Sequence, residues 1–329
     1  MATKRNLYGL DRGELEALFQ EIGLQAFRGR QIMKWAYHQG TIDFAAMTDL
    51  PLKTRLWLQE HCSWELPHVH ERYQSKDGTV KWLIRIGQGD LVEMVLIPDK
   101  GRNTLCVSSQ VGCVLDCSFC STGKQGFNGN LSAAEIVGQM AIANAYLAGK
   151  SEFVTNVVLM GMGEPLLNFD AVLAATNIMM DDHAFGLSKR RVTISTAGVV
   201  PGIEKLRQHT DLSLAISLHA PTDELRSTLV PINKKYPLEV LIPAALVWVM
   251  IVSIARLFRN DVALSNTELL FIGAVIIATL LGGSWLLSAR ANRKERRRLD
   301  AEAENARRVN EVLTGAATGP PGGRGPGAR

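Results

Sequence analysis

Three cysteines stand in the run Cys113-Val114-Leu115-Asp116-Cys117-Ser118-Phe119-Cys120, a C-x3-C-x2-C spacing. Three thiolates this close on one loop can hold three irons of a four-iron, four-sulfur (4Fe-4S) cluster. The fourth iron is then open for a substrate or cofactor to chelate, which a closed four-cysteine electron carrier does not allow. The competing reading is a trio of buried thiols or a partial zinc site. Zinc, however, usually takes four ligands from paired clusters, and no cysteine follows Cys120. Cys62, with His61, His68 and His70 nearby, lacks the usual ligand spacing of a metal site.

The elements that position this loop are legible from periodicity. From Asn103 to about Tyr236 strands and helices alternate, which implies a parallel sheet covered by helices. Strands are predicted at Thr104–Ser108, Asn156–Met160, Arg191–Ser195 and Leu212–Leu218, and helices at Ala133–Ala148, Asp170–Met180 and Gly202–Gln208. Pro201 and Pro221 suit first helical turns. In such folds chemistry collects at the carboxyl ends of strands. The cysteine loop follows the first strand, Gly161-Met162-Gly163-Glu164-Pro165 the second, Ser195-Thr196-Ala197-Gly198 ends the third and Ser217-Leu218-His219 the fourth. Four polar or glycine-rich loops thus converge on one rim. Gly161 and Gly163 would let backbone approach a ligand closely. A dinucleotide fingerprint is disfavoured, because the third glycine is missing and Pro165 follows.

The rest of the chain divides around this unit. Residues 1–70 read as a helical accessory domain with apolar Leu15, Leu18 and Phe19, then Ile32, Trp35 and Ala36. Its Arg28, Arg30, Lys34, Lys53 and Arg55 suit phosphate contacts or an ordinary solvated face. Residues 71–102 read as a small β segment with a hairpin turn at Lys76-Asp77-Gly78-Thr79. Residues 103–239 form the α/β unit. Residues 240–289 read as two transmembrane helices, Val240–Phe258 and Leu269–Ala289, joined by the short loop Arg259–Glu268. Buried core helices are the competing reading. Six basic residues between Arg290 and Arg298 place both ends of such a hairpin in the cytoplasm. Residues 290–329 read as a basic helix followed by a Gly/Pro-rich, disordered tail.

Charge adds a constraint. The net charge is +4, but residues 290–329 alone carry ten Lys/Arg and five Asp/Glu. The remainder is therefore close to neutral, and net charge gives no argument for nucleic-acid binding by the main body. Met1 to Leu10 is polar, without an apolar core of signal-peptide length. Clustered cysteines in that context point to a reducing compartment and metal chemistry instead of disulfides.

The cysteine loop lies within Leu105-Cys106-Val107-Ser108-Ser109-Gln110-Val111-Gly112-Cys113 and Cys120-Ser121-Thr122-Gly123. Together with Met160-Gly161-Met162-Gly163-Glu164-Pro165, Leu187-Ser188-Lys189-Arg190-Arg191-Val192 and Ile216-Ser217-Leu218-His219-Ala220-Pro221, it closely resembles the RlmN family over about residues 1–240. These are radical S-adenosylmethionine enzymes that methylate adenosine C2 in 23S rRNA and tRNA. The related Cfr family, which methylates adenine C8, shares much of the pattern, but Met-Gly-Met-Gly-Glu-Pro is nearer RlmN.

The resemblance implies a radical-SAM partial (β/α) barrel. Cys113, Cys117 and Cys120 would ligate the 4Fe-4S cluster, and S-adenosylmethionine would lie against Gly163, Glu164, Ser195, Ser217, Leu218 and His219. Cleavage of its C–S bond by an electron from the cluster would yield a 5′-deoxyadenosyl radical. Glu93 matches the proton acceptor, and Cys106 the cysteine that resolves the covalent protein–RNA adduct. From their residue types alone they read as an ordinary strand carboxylate and a small core residue. The implied partners are 23S rRNA, tRNA and an electron donor, in the cytoplasm. Anchoring to the inner face of the plasma membrane would run through 240–289. The family also uses a C-terminal methyl-carrying cysteine on two further strand–helix units, and this sequence has no cysteine after Cys120. The barrel would thus be cut from about six units to four, with an exposed sheet edge. The alternative reading is a membrane-anchored fusion or truncated protein with a non-catalytic cytoplasmic domain.

Overall fold

A computed structural model describes residues 4–87 and 89–258. At the amino end, β1 (Arg5–Asn6) pairs in parallel with β2 (Cys62–Ser63), closing a loop around α1 (Arg12–Glu21), α2 (Phe27–Met33) and α3 (Leu52–His61). A capping box starts α1: the Asp11 carboxylate accepts from Glu14 N at 2.9 Å and Glu14 accepts from Asp11 N at 2.8 Å. Leu15, Leu18 and Phe19 turn inward as their spacing predicts. After α2 a π-helical turn, Lys34–His38, shifts the register. Ile32 and Ala36 are buried, while Trp35 sits half-buried with its Nε1–H donating to Asp49 at 2.6 Å.

The central sheet contains β3 (His68–Gln74), β4 (Val80–Ile86), β5 (Asp90–Asp99) and β6 (Arg102–Cys106). The short strands β7 (Gln110–Gly112) and β8 (Phe127–Asn130) pair with each other beside it. The sheet resumes with β9 (Asn156–Leu159), β10 (Val192–Thr196) and β11 (Ser213–Ile216). Among the described residues the strand order is β11-β10-β9-β6-β5-β4-β3. β6, β9, β10 and β11 are parallel, as the strand–helix alternation predicts. β3 to β5 extend the same sheet as an antiparallel meander. The Ser75–Thr79 turn between β3 and β4 is closed by Ser75 N donating to Thr79 O at 2.8 Å.

Side-chain alternation gives the sheet two distinct faces. Val92, Met94, Leu96, Leu105, Val157, Leu159, Val192 and Ile194 are buried in one core with residues of α5 (Ala133–Ala148), α6 (Phe169–Met180) and α7 (Val200–Arg207). The short α4 (Ser121–Lys124) precedes these helices and closes the cysteine loop. The alternate residues Glu93, Val95, Thr104, Cys106, Val158, Thr193 and Ser195 are half-buried on the other face. This is the inner face of a partial barrel. The predicted strand Leu212–Leu218 stops at Ile216, because the carbonyls of Ser217 and Leu218 are taken by Arg226 on α8 (Asp223–Leu229). Pro221 precedes the Thr222 cap of α8 instead of lying in its first turn.

The transmembrane hairpin expected over 240–289 needs correction where the structure describes it. Residues 238–258 form α9 (Leu238–Phe258), whose Leu241, Trp248 and Val252 belong to the buried core. Those positions recur at helical spacing and make one packed stripe, while Ile242 and Val249 on other sides are exposed. Among the described residues no helix is long and apolar enough to cross a membrane. Apolar content alone does not separate a bilayer span from a helix laid on a core. The second expected span, Leu269–Ala289, and the basic segment 290–329 lie outside the described residues.

Candidate cluster and cofactor site

A cleft of about 450 Å³ opens at the carboxyl ends of β9, β10 and β11. Cys113, Cys117 and Cys120 line it together with Gly163, Glu164, Ser195, Ser217 and His219. These residues come from all four loops that the sequence placed on one rim. Leu218 is the exception among the expected cofactor contacts. It is 40% exposed and does not line the cleft, and its carbonyl accepts from Arg226 Nε at 3.0 Å.

The cysteine loop is pinned at several points. Cys113 N donates to Gly126 O at 2.8 Å, Cys120 N to Cys117 O at 3.0 Å and Ser118 N to Leu229 O at 3.0 Å. Asp116 takes a left-handed conformation with φ 47°, which turns the chain between the first two cysteines. Burial raises the Cys113 thiol pKa and pushes Cys117 up to about 11. Among the described residues no trio of His, Cys, Asp or Glu is arranged to hold one metal ion. That arrangement is not what a cluster requires, since each thiolate then binds its own iron. Three thiols on one loop, without a fourth cysteine in the cleft lining, fit a cluster with one open iron.

The Gly161–Pro165 loop is held by its neighbours. Met162 N donates to Ser108 Oγ at 2.8 Å, and Met162 O accepts from Ser109 N at 2.9 Å. Glu164 N donates to Gln110 Oε1 at 2.8 Å, and Gln110 Nε2 donates to Asn130 at 2.8 Å. These contacts give the two glycines a role within the protein itself. A Cβ at Gly161 would lie 2.7 Å from Ser108 Oγ, and one at Gly163, with φ 98°, 2.5 Å from the Gln110 Cβ. The glycines admit this strand-end loop of the protein itself; only as a consequence does backbone line the cleft.

Glu164 is 3% exposed. Its carboxylate accepts from Ala197 N at 2.8 Å and Leu166 N at 3.1 Å, and the Thr196 hydroxyl adds a third bond. Desolvation raises its pKa, opposed by those donors. The carboxylate therefore joins the β9 loop to the β10 loop while keeping lone pairs for a ligand ammonium.

Glu93 and Cys106 lie outside the cleft lining but on the inner face that runs into it. Cys106 pairs across the sheet with Val95 and Val158, so Glu93 is its diagonal neighbour on the same side. Glu93 is half-exposed and forms an ion pair with Lys81 at 3.0 Å, and its carbonyl accepts from Ser108 Oγ at 2.6 Å. Burial raises the Cys106 thiol pKa, opposed by the Met160 backbone. Of the basic residues expected to suit phosphate contacts, Arg30 pairs with Glu16, whereas Arg28 and Arg55 donate to the carbonyls of Asp49 and Ala45.

Sequence reasoning did not find the residues that brace these loops. Gln139 is fully buried on α5 and grips both backbone groups of Ser108, at 2.8 and 2.9 Å. Asn168 donates to the carbonyls of Ser109 and Leu131 at 2.8 and 2.7 Å. Arg226 and Asn233 are buried under the β10 and β11 loops. Gln139 carried a signal, being a polar residue on an otherwise apolar helix between Ile136 and Ala143. Arg226 carried none, because it follows an ordinary helix start.

Known proteins resemble this chain over most of its length. Residues 5–63 match the ribosomal RNA large subunit methyltransferase N-terminal domain, and residues 107–246 match the Radical SAM superfamily. A dual-specificity RNA methyltransferase RlmN of Pseudomonas putida is 57% identical over 247 residues, covering 74% of this chain and 65% of the relative. The RlmN of Alkalilimnicola ehrlichii is 55% identical over 244 residues, covering 74% and 68%. The crystal structure of a radical SAM methyltransferase from Sphaerobacter thermophilus superposes with a TM-score of 0.70 at 40% identity, covering 75% of this chain and 73% of that one. The chain thus spans about 65% of the length of the first of these relatives. Matched by that identity and by the two domain families in order, the chain belongs to the RlmN family of the radical SAM superfamily.

Proposed function

We propose that this chain carries the cluster- and cofactor-binding core of a radical SAM methyltransferase acting on adenosine C2 of 23S rRNA and tRNA. The observation that carries the reading is the convergence of three cysteines and three further loops on one cleft, beside a sheet face bearing Glu93 and Cys106. Cys113, Cys117 and Cys120 would hold the cluster, and Gly163, Glu164, Ser195, Ser217 and His219 would seat S-adenosylmethionine, with Leu218 contributing backbone. When bound, these groups supply one-electron cleavage of a sulfonium and so a radical route to an unreactive aromatic carbon.

This chain's own residues would then orient the base and move a proton. Glu93, half-exposed on the inner face and paired with Lys81, would take the adenine C2 proton. The Cys106 thiol on the same face would resolve a protein–RNA adduct. Exposed Lys34 and Lys53 of the helical module, with Arg28, Arg30 and Arg55, are available to phosphates, and a target base would have to leave its stack. On this reading the protein would meet its rRNA and tRNA in the cytoplasm and draw on an electron donor there.

Methyl transfer by the family route needs a methyl-carrying cysteine, and this sequence has none after Cys120. The test is nucleoside mass spectrometry of rRNA and tRNA from a host without its own RlmN activity, expressing this chain. Appearance of 2-methyladenosine supports the full reaction and makes another residue the methyl carrier. Its absence, with the cluster loaded, reduces the function to cluster and cofactor binding and overturns methyl transfer by this chain.

A further inference from the structure

Arg226 is the largest fully buried side chain of the described residues. Its guanidinium lies under the floor of the cleft. Nη2 donates to Ala197 O at 2.6 Å and Ser217 O at 3.3 Å, Nε to Leu218 O at 3.0 Å, and Nη1 to Asn233 Oδ1 at 2.6 Å. One group thereby ties the loop after β10 to the loop after β11. The same helix reaches the cysteine loop, since Leu229 O accepts from Ser118 N at 3.0 Å. No carboxylate among the described residues is within ion-pair distance of Arg226. Its nearest charged influences are Asp223, which Asn233 bridges, and Cys117.

A buried cation whose partners are almost all neutral is costly unless opposite charge faces it. A floor of carbonyls alone could be tied by a neutral amide. Asp223 answers part of that charge from the helix side, through Asn233; on the cleft side the opposite charge is what the cysteine loop gathers when it holds metal. We propose that Arg226 is the charge-compensating residue of the iron–sulfur site, a positioning residue that fixes the cleft floor and offsets the negative charge held by Cys113, Cys117 and Cys120. A cation fixed in a low-dielectric floor also favours addition of an electron to whatever the cysteines hold. This rests on the reading of that site as a cluster site, and the test separates the two.

The full chain, Arg226→Gln and Arg226→Lys are reconstituted anaerobically with iron and sulfide. They are then titrated with dithionite as electron source, while the reduced cluster is followed by electron paramagnetic resonance. Arg226→Gln, uncharged, is expected to make one-electron reduction at least tenfold less favourable, about 59 mV more negative. Arg226→Lys, still charged, is expected to stay within threefold of the parent. If Arg226→Gln takes up no cluster, Arg226→Lys decides: loading with the parent potential supports the proposal, and a lost cluster or the potential shift assigned to the glutamine variant overturns it. An unchanged potential in a loaded Arg226→Gln also overturns it. A parent chain that takes up no cluster instead overturns the cluster reading itself.

Discussion

The two walls of the cleft are built by different physics. The near wall, Gly161–Pro165 and the Ser108–Gln110 segment that leads into the cysteine loop, hangs on neutral amides and hydroxyls: Ser108, Gln110, Gln139 and Asn168. The far wall, the loops after β10 and β11, hangs on the single buried cation Arg226, with Leu241 of α9 against Gly198. Glu164 joins the walls through Ala197 N. Neutral partners are satisfied in any state of the site, and they suit a wall that must be preformed. The far wall's charge is answered in part by Asp223 through Asn233, and on the proposal above the rest is answered by the loaded cysteine loop.

The sharpest way to break the near wall is Gly163→Val. The φ of 98° and the 2.5 Å approach to Gln110 together should cost roughly 4 kcal/mol or more, measured by urea unfolding of the cluster-free chain. A loss under 1 kcal/mol would mean the loop has slack that the packing denies. Gln139→Leu strands both backbone groups of Ser108 and should cost roughly 3 kcal/mol in the same assay. On the far wall, Leu241→Ala removes a fully buried side chain and should cost roughly 2–3 kcal/mol. An unchanged midpoint would instead favour α9 as a segment independent of the core.

The thiols sharpen the comparison with pH. Burial holds Cys106 and Cys113 above the ordinary value near 9, and Cys117 at about 11. Between those values the folded thiols keep protons that the unfolded chain has lost, so cluster-free stability should fall as pH rises from about 9 to about 11. Cys117→Ser should flatten that fall. Equal slopes in the two proteins would place the alkaline loss elsewhere. The smallest effect is Lys81→Met, which breaks a half-exposed pair and should change stability by less than about 1 kcal/mol. Any larger change in unfolding would give that lysine a packing role.

The near wall was largely legible in the sequence and the far wall was not. Cysteine spacing, Gly163 and strand–helix alternation located the cleft, because thiolate chemistry and sheet topology leave local patterns. Helix Ala133–Ala148 was read to its ends, and the structure shows Ser132 and Glu135 closing its start as a capping box. Arg226 was missed because burial of a charge is a tertiary fact with no local signature. α9 was misjudged for the converse reason: an apolar stretch looks alike whether lipid or a core receives it, and only the stripe Leu241, Trp248, Val252 tells them apart. The two glycines were noticed for the right property, and the structure adds a second reason for them, since their missing side chains also admit Ser108 and Gln110.

The account's central claim is that the three cysteines hold a cluster open to S-adenosylmethionine. The most direct measurement is anaerobic reconstitution of the full chain with iron and sulfide, followed by iron analysis, visible absorbance and electron paramagnetic resonance with and without S-adenosylmethionine. The account predicts about four irons per chain, a spectrum of the reduced cluster that changes when S-adenosylmethionine is added, and loss of both in Cys117→Ala. Iron uptake and absorbance that survive Cys117→Ala unchanged, or a parent chain that binds no iron, would contradict it.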